Sequence, residues 1–561
     1  MLSNPVFNKS ALEILRDRYL WKDDGGVPCE GPKAMLERVA RYVASAETKL
    51  AMRYKWADEY YDIMAQLLFF PNSPTLMNSG RPAPHGQLAA CFVIGIEDSM
   101  ESICEAIRKQ MLIHKSGGGT GFNFSNLRSS GARVNSTNGR ASGPVSFMGL
   151  FDKATETVQQ GGMRRGANMG ILNVDHPDIR QFIHCKDQDG LITNFNISVG
   201  VFDDFMRRAE SCPTGEEARL LIEIAESAWR TGDPGIIFLD AVNRGNTTPH
   251  LGPLYSTNPC GESPLYANEA CNLGSINLAK MFRGGFVDYE LLDNVTAVAV
   301  RFLDSVIDVN HYPLPEIGES VRRTRKVGLG VMGWADLLYQ LRIPYDSEEA
   351  LALAENVMDR IQKKAHEVSA ELGIEKGVPE ELTLLGRRNA TLTCIAPTGT
   401  IALLADCSSG IEPLFALEHT RVRTQIDGTK VMMKQANRYY EEAIKSGVPN
   451  KTLRSVFVTS HEVAPPAHVR MQGAFQKYTD LAVSKTINLP FESGVQDVLD
   501  SYTLAWRQGC KGITIYRDGS KSEQVLYRKD SLPAQSAPPE PLSEAVPVLA
   551  ERPALKRKGA T

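Results

Sequence analysis

The alternation of short apolar runs with longer amphipathic stretches constrains the fold of this chain more than any other feature. Strand-like runs occur at residues 91–94, 235–239 and 391–395. Stretches with helical spacing occur at residues 99–115, 215–231 and 347–372. Strands that alternate with helices predict a largely parallel α/β sheet or barrel, because a parallel pair needs a long crossover that a helix commonly provides.

Pattern and composition divide the chain into three regions. Residues 1–70 are predicted to be a helical N-terminal region, since Leu36, Val39 and Val43 fall at helical spacing and the stretch ends before Pro71. Residues 71–520 carry the alternating pattern and are predicted to form one large α/β unit. Residues 521–561 are rich in Pro, Ala and Ser, which predicts a flexible tail with a solvated basic end.

Composition excludes several classes of protein. The 561 residues are 42% hydrophobic, which is enough for a large core, and the net charge of −4 provides no basic field for long nucleic acids. No apolar run has the length of a membrane span, and the N-terminus lacks the pattern of a secretory signal, so we expect a cytoplasmic protein without a membrane partner. Ten cysteines in so long a chain predict free thiols rather than a disulfide framework.

One cysteine lies in an unusual loop. Residues 256–264 contain Pro259, Gly261 and Pro264, which preclude a regular helix or central strand. If the loop is extended, Asn258, Cys260 and Glu262 project to the same side. An amide, a thiol and a carboxylate at one point make a candidate proton-handling and hydrogen-abstracting site, although the local segment alone also fits an ordinary loop cysteine. Metal-binding spacings such as Cys-x-x-Cys are absent, so no metal site is predicted, and seven other cysteines, Cys394 among them, are expected to be ordinary small side chains.

The Asn-x-Cys-x-Glu loop resembles the finger loop of ribonucleotide reductases, and six further segments agree with that family in the same order. They are Pro-Asn-Ser-Pro-Thr at 71–75, Gln-Leu-Ala-Ala-Cys at 87–91, Glu-Asp-Ser at 97–99, Lys-Ser-Gly-Gly-Gly-Thr-Gly at 115–121, Gly-Gly-Met-Arg-Arg-Gly at 161–166 and Ala-Pro-Thr-Gly-Thr-Ile at 396–401. The resemblance implies a ten-stranded α/β barrel of two five-stranded parallel halves around a central finger loop. It also implies reduction of ribonucleotides to 2′-deoxyribonucleotides for DNA synthesis and repair.

The resemblance implies a role for each matching residue. Cys260 would form a thiyl radical that takes the 3′ hydrogen atom, and Glu262 would act as base on the 3′-hydroxyl. Asn258 would hold that carboxylate and the substrate hydroxyls in register. Cys91 and Cys271 match the reducing pair, which ends as a disulfide. The positions that match substrate contacts are Thr75, Ala90, Gly119, Pro397, Thr398, Gly399, Thr400 and Ile401. The positions that match the site of a deoxynucleotide or ATP effector, or its relay loop, are Asp98, Ser99, Arg128, Arg164 and Arg165.

The segment at 509–520 indicates the radical source. It contains one tyrosine, Tyr516, and resembles the adenosylcobalamin-dependent class rather than the oxygen-dependent class with its Tyr-Tyr pair. The expected cofactor is therefore adenosylcobalamin, and the expected partners are a ribonucleotide di- or triphosphate, a thioredoxin- or glutaredoxin-like reductant and a second copy in a homodimer.

Two departures from the family pattern leave alternatives open. The N-terminal stretch lacks the pattern of an ATP-cone domain, so no overall activity switch is expected. The last cysteine is Cys510, whereas relatives usually end in a cysteine pair that re-reduces the active site. The chain is then truncated, completed by a separately encoded part, or served by an external dithiol. The alternatives for function are a metal-radical large subunit that needs a small partner, and an inactive nucleotide-binding relative.

Overall fold

The computed structural model describes residues 3–81, 86–134, 138–158, 166–188, 190–424, 430–520 and 526–528. The chain separates into two compact units, one formed by residues 1–417 and 436–523 and the other by residues 418–435 and 524–561. Within the described residues, no helix combines the length and apolar character that crossing a membrane requires.

The N-terminal region is helical, as predicted. It contains α1 (Lys9–Ile14), a π-helical turn (Leu15–Tyr19), α2 (Pro32–Ala44) and α3 (Leu50–Ala65). The buried stripe of α2 that includes Leu36, Val39 and Val43 packs in the core, and α2 lies against α3. The helical pattern ends earlier than the sequence suggested, because β1 (Phe69–Pro71) pairs antiparallel with residues 274–276.

The elements from residue 73 to 244 build the first half of a barrel. They are α4 (Ser73–Asn78), β2 (Cys91–Val93), α5 (Met100–Lys115), β3 (Gly119–Asn123), β4 (Arg133–Val134), β5 (Gly139–Arg140), α6 (Pro144–Thr157), β6 (Asn168–Asn173), α7 (Ile179–Ile183), β7 (Phe195–Val201), α8 (Asp203–Ser211), α9 (Glu216–Thr231), β8 (Gly235–Phe238) and α10 (Leu239–Arg244). The strands β2, β3, β6, β7 and β8 are neighbours in that order, and all are parallel.

The elements from residue 256 to 404 add the finger loop and most of the second half. They are β9 (Ser256–Thr257), β10 (Pro264–Leu265), β11 (Glu269–Asn277), β12 (Phe282–Arg283), β13 (Phe286–Val287), α11 (Tyr289–Val309), α12 (Pro315–Thr324), β14 (Val327–Met332), α13 (Trp334–Leu341), α14 (Glu348–Lys376) and α15 (Ile401–Leu404). All nine residues of β11 are buried, as expected for a parallel sheet that helices cover.

The remaining elements divide between the two units. In the second unit, β15 (Glu418–Thr424), β16 (Lys430–Ala436) and β19 (Leu526–Arg528) form a three-stranded sheet. In the first unit they are α16 (Arg438–Lys445), α17 (Asn450–Val456), α18 (Pro465–Gln476), β17 (Thr486–Leu489), α19 (Val495–Arg507) and β18 (Gly512–Arg517). Apart from β19, the tail predicted to be flexible lies outside the described residues, and its flexibility stays a prediction.

The barrel closes through two antiparallel junctions. Strands β11 and β14 are parallel, single bridges connect β14 to residue 393 and residue 395 to residue 483, and β17 then pairs in parallel with β18. This second half of five strands meets the first half where β11 opposes β2 and where β18 opposes β8, and both of these pairs are antiparallel. The prediction of a ten-stranded α/β barrel in two parallel halves is confirmed.

Glycines on β3 make room for the finger loop inside the barrel. A Cβ atom at Gly121 would lie 1.7 Å from the carbonyl oxygen of Thr257, and one at Gly119 would lie 2.8 Å from the ring of Pro259. Any side chain at either position would overlap the loop, because carbon and oxygen atoms do not approach so closely without a bond. The glycine-rich segment at 115–121 therefore has a packing role in addition to any contact with a ligand.

Replacing Gly121 tests this close approach. We expect Gly121→Ala to lower the free energy of unfolding by about 1–3 kcal/mol, because the added methyl group collides with backbone that cannot rotate away. Gly149→Ala is the matched control: Gly149 lies in α6 with no atom within 4 Å of an added Cβ. That control should raise stability by about 0.5–1 kcal/mol through helix propensity. Urea unfolding measures both, and wild-type stability of Gly121→Ala would contradict the packing.

Candidate functional site

The finger loop is a tight turn flanked by a short hairpin. Strands β9 and β10 pair antiparallel, and the backbone N–H of Gly261 donates to the carbonyl of Asn258 at 3.1 Å. Gly261 has a φ of +84°, a conformation that glycine adopts without strain. The prediction of an extended loop with alternating side chains is wrong, because the segment from Pro259 to Gly261 forms a turn.

The three candidate side chains of the turn nevertheless line one cavity. Its volume is about 290 Å³, and Asn258, Cys260 and Glu262 all contribute to its wall. Of the positions that match substrate contacts, those that line it are Ala90, Gly119, Pro397, Thr398, Gly399, Thr400 and Ile401. Thr75 does not line it, because its buried hydroxyl donates to the side chain of Asn72 and the carbonyl of Leu88.

Hydrogen bonds fix the amide of Asn258 between two elements. Its Nδ2 donates to Sγ of Cys91 at 3.1 Å, and its Oδ1 accepts from the backbone N–H of Ser263 at 2.9 Å. The backbone carbonyl of Glu262 accepts from Ala482 at 2.9 Å, which anchors the far side of the turn. Asn258 and Glu262 are buried, whereas Cys260 is exposed at the cavity. The loop therefore presents a single accessible thiol with an amide and a carboxyl group held beside it.

Cys91 and Cys271 face each other across the antiparallel junction of β2 and β11. They are direct partners in the strand register, and both are buried. Directly opposed residues in such a pair have Cα atoms about 4.5–5.5 Å apart. Disulfides need a Cα separation of about 4.4–6.8 Å, so the two thiols are placed for a disulfide. Cys91 lines the cavity, whereas Cys271 lies behind it.

The surroundings of this pair keep both thiols protonated. Burial is the main cause that raises the pKa of Cys91 well above its usual value, and the nearby Glu262 carboxyl group is the second. Sγ of Cys91 lies 3.9 Å from Oε1 of Glu262. Burial and the Glu269 carboxylate raise the pKa of Cys271, which the ammonium group of Lys326 partly offsets. Nζ of Lys326 and Oε2 of Glu269 are 2.7 Å apart and fully enclosed, and the carbonyl of Lys326 accepts from Sγ of Cys271 at 3.6 Å. A buried ion pair therefore stands directly behind the cysteine pair.

A third cysteine shares this environment. Cys394 belongs to the same apolar cluster as Cys91 and Cys271, and burial raises its pKa as well. The sequence predicts only an ordinary small side chain at Cys394, because residues far apart in the chain give no local signal of a shared cluster. The same applies to Arg18, Tyr19 and Ala167, which line the cavity and which no pattern had singled out.

The loop after the extended segment at 391–395 forms one wall of the cavity. Thr398 has a φ of +54°, and its hydroxyl oxygen accepts from the backbone N–H of Gly410 at 2.7 Å. Helix α15 begins directly after this loop, at Ile401. The side chains and backbone of residues 397–401 offer neutral hydrogen-bond donors and no positive charge.

Three residues matched to an effector site, Asp98, Ser99 and Arg128, are described by the structure and do not line the cavity. Nε of Arg128 and Oδ2 of Asp98 form an ion pair of 2.6 Å at the surface, and Ser99 caps the N-terminus of α5 by accepting from Ser102. Arg164 and Arg165 lie outside the described residues. Helix α5 runs from this ion pair towards β3, where Gly166 faces its His114.

Thiol reactivity distinguishes the exposed cysteine from the buried pair. The thiolate is the reactive form, so a thiol whose pKa is raised stays unreactive at pH 8. We expect iodoacetamide at pH 8 to modify Cys260 at least about tenfold faster than Cys91 or Cys271. Peptide mass spectrometry after timed labelling measures the rates, and labelling in urea, where every cysteine should react, is the control. Equal rates for Cys260 and Cys271 in the folded protein would contradict the described burial.

Two family models match most of the chain. The ribonucleotide reductase all-alpha domain matches residues 6–84, and the ribonucleotide reductase barrel domain matches residues 89–221, 213–383 and 378–516. Among solved structures, the Actinobacillus ureae class Id ribonucleotide reductase alpha subunit superposes with a TM-score of 0.77 at 23% identity. That match covers 91% of this chain and 97% of the other, and at this identity it shows the fold alone.

Relatives of higher identity agree with these models. A vitamin B12-dependent ribonucleoside-diphosphate reductase of Mycobacterium tuberculosis is 44% identical over 95% of this chain and 81% of its own length. A protein of the same name from Thermoplasma acidophilum is 40% identical over 92% of this chain and 80% of its own length. The chain belongs to the ribonucleotide reductase family.

Proposed function

We propose that this chain reduces ribonucleotides to 2′-deoxyribonucleotides in the cavity around Cys260, with adenosylcobalamin as its radical source. The observation that carries the proposal is the placement of one accessible thiol, Cys260, beside a buried amide and carboxyl group, with the Cys91–Cys271 pair at the same wall. The vitamin B12-dependent relatives support the cobalamin-dependent class over a metal-radical large subunit.

In the proposed reaction, the thiyl radical of Cys260 takes the 3′ hydrogen atom of the ribose. The carboxylate of Glu262 accepts the proton of the 3′-hydroxyl, and a thiol of the Cys91–Cys271 pair protonates the 2′-hydroxyl, which leaves as water. The pair supplies two electrons and two hydrogens overall and ends as a disulfide, and Cys260 returns a hydrogen atom to the 3′ carbon. The high pKa of Cys91 suits this role, because the thiol must carry its proton until the hydroxyl leaves.

Asn258 is proposed to hold this arrangement in register. Its amide joins Cys91 to the turn through the bonds at 3.1 Å and 2.9 Å, so the thiol that protonates the substrate and the loop that carries Cys260 move together. Asn258 and Glu262 are buried, so little water reaches the amide and carboxyl groups that flank Cys260.

The residues around the cavity fit a cobalamin partner. When bound, adenosylcobalamin supplies a carbon-centred radical that can take the hydrogen atom of a thiol. The cavity of about 290 Å³ has the size of a nucleotide, and a cobalamin bound at its rim would have access to the exposed thiol of Cys260. The apolar side chains of Pro74, Met77 and Ile401 in the cavity wall are the surface that such a group would contact.

Regulation by a deoxynucleotide or ATP effector is proposed at the surface around Asp98, Ser99 and Arg128. Helix α5 supports this, because it begins beside that surface and its His114 lies against Gly166, next to the cavity-lining Ala167. A movement of α5 would change the wall of the cavity. Arg164 and Arg165, which belong to the proposed relay loop, lie outside the described residues.

Re-reduction is proposed to come from a thioredoxin- or glutaredoxin-like dithiol. Cys91 lines the cavity and Cys271 does not, so a reductant approaching through the cavity meets Cys91 first. The domain limits, the homodimer and the cytoplasmic location stay predictions.

An activity assay tests the proposed role of Cys260. The chain is incubated with ribonucleoside diphosphates, dithiothreitol, adenosylcobalamin and each deoxynucleotide effector, and deoxynucleotide is measured by chromatography. We expect Cys260→Ser to lower the rate by at least about 1,000-fold, because a hydroxyl does not form the radical. Cys212→Ser, at an exposed cysteine outside the cavity lining, should keep wild-type activity. Activity in Cys260→Ser, or turnover that needs a second subunit instead of cobalamin, would overturn the proposal.

A single-turnover experiment tests the reducing pair. Reduced protein from which dithiothreitol has been removed should form about one deoxynucleotide per chain, because the disulfide then blocks further turnover. Mapping of non-reduced peptides should show a Cys91–Cys271 disulfide. A disulfide that joins Cys394 to either partner as the main product would contradict the assignment, and Cys394→Ala should leave the yield unchanged.

A further inference from the structure

Among the described residues that line the Cys260 cavity, Arg18 is the one basic side chain and Glu262 is the one acidic side chain. A nucleotide that carries two or more phosphates brings several negative charges into this cavity. The wall at residues 397–401 offers only neutral donors to those charges. Burying part of a phosphate chain without a positive partner costs free energy. A cation that reaches the cavity would therefore stabilise the bound phosphates.

The guanidinium group of Arg18 is available for this purpose. Arg18 is exposed, and its guanidinium group makes no hydrogen bond or ion pair with any residue that the structure describes. Arginine presents a planar fork of donors that matches two phosphate oxygens at once. An unpaired arginine in the wall of a nucleotide-sized cavity is thus suited to bind a phosphate group.

The backbone that carries Arg18 is held firmly in place. Arg18 lies in the π-helical turn Leu15–Tyr19, and such turns are frequent at functional sites. The hydroxyl groups of the buried Tyr19 and of Ser73, which also lines the cavity, share a hydrogen bond of 2.7 Å. The backbone carbonyl of Tyr19 accepts a hydrogen bond from the side chain of Arg81 at 2.8 Å. These hydrogen bonds hold the backbone next to Arg18 in place at the cavity wall.

The same N-terminal segment is attached to the wall at residues 397–401. Helix α1 packs against α15, which follows that wall, and Nδ2 of Asn8 donates to Oδ1 of Asp406 at 2.7 Å. The turn with Arg18 and the neutral donors at 397–401 are therefore joined through α1 and α15, and both line the same cavity.

We propose that Arg18 binds the terminal phosphate of a nucleoside diphosphate, so that the N-terminal region makes the cavity select nucleotides by their phosphate number. The inference rests on the proposed function, since it takes the cavity as the ribonucleotide site. It assigns to the helical region a part in substrate recognition, and it names the diphosphate as the substrate class.

The test compares Arg18→Gln, Arg18→Lys and a matched control, Arg16→Gln. Arg16 lies in the same π-helical turn and is exposed, but it does not line the cavity. We expect Arg18→Gln to raise the KM for a ribonucleoside diphosphate about 10- to 100-fold, the effect of losing a charge-assisted hydrogen-bonded pair. The kcat at saturation should stay within about threefold, since the interaction is equal in ground and transition states. Arg18→Lys should fall between wild type and Arg18→Gln, and Arg16→Gln should match wild type.

Equilibrium binding separates this inference from the proposed function. Calorimetry with ADP and AMP should show that Arg18→Gln weakens binding of ADP but leaves binding of AMP unchanged, which a general structural defect would not do. Equal loss for both nucleotides, or an unchanged KM for the diphosphate in an active enzyme, would overturn the role of Arg18. If the wild-type protein formed no deoxynucleotide, the proposed function would fail, while the comparison of ADP with AMP would still decide the role of Arg18.

Discussion

The approach of the finger loop to strand β3 is the contact on which the rest of the site depends. The interior of a small barrel is normally filled by side chains from its own strands. Here the backbone of Thr257 occupies the space that a side chain at position 121 would fill. The ring of Pro259 does the same at position 119. A side chain at either position would expel the loop, and with it Cys260. The loop thus replaces part of the ordinary barrel core, and the thiol of Cys260 lies between the two parallel halves of the barrel.

The change of strand direction between the two halves has its own consequence. Parallel strands bring together residues that belong to successive βα units, but the junction of β2 with β11 is antiparallel and joins segments about 180 residues apart. At this junction, Cys91 and Cys271 are direct partners. The enclosed Lys326–Glu269 ion pair lies behind them, and removing one partner of such a pair would leave an uncompensated buried charge. The proposed redox pair is therefore set into a rigid part of the barrel wall, where neither thiol is easily ionised.

The helical N-terminal region and helix α5 connect the cavity to the outside of the barrel. The N-terminal region contributes Arg18 and Tyr19 to the cavity wall, so it does more than cover the barrel. Helix α5 extends from the Asp98–Arg128 ion pair to the neighbourhood of the glycine-rich strand. Both elements offer a physical route by which binding elsewhere can alter the cavity, because each is packed against residues that line it.

Most regular elements and the candidate chemistry could be predicted from the amino-acid sequence. Helical spacing gave α5 and α9 to within a residue or two, and short apolar runs gave β2, β8 and the extended segment at 391–395, because these signals are local. The glycine and proline content of residues 256–264 excluded regular structure, and resemblance supplied the residue roles and the two-halved barrel. Tertiary structure decided the rest. It made β1 a strand through pairing with β11, made the finger loop a turn rather than an extended segment, and brought Cys394 and Arg18 to the site. These features depend on contacts between residues far apart in the chain, and such contacts leave no periodic trace in the residues that make them.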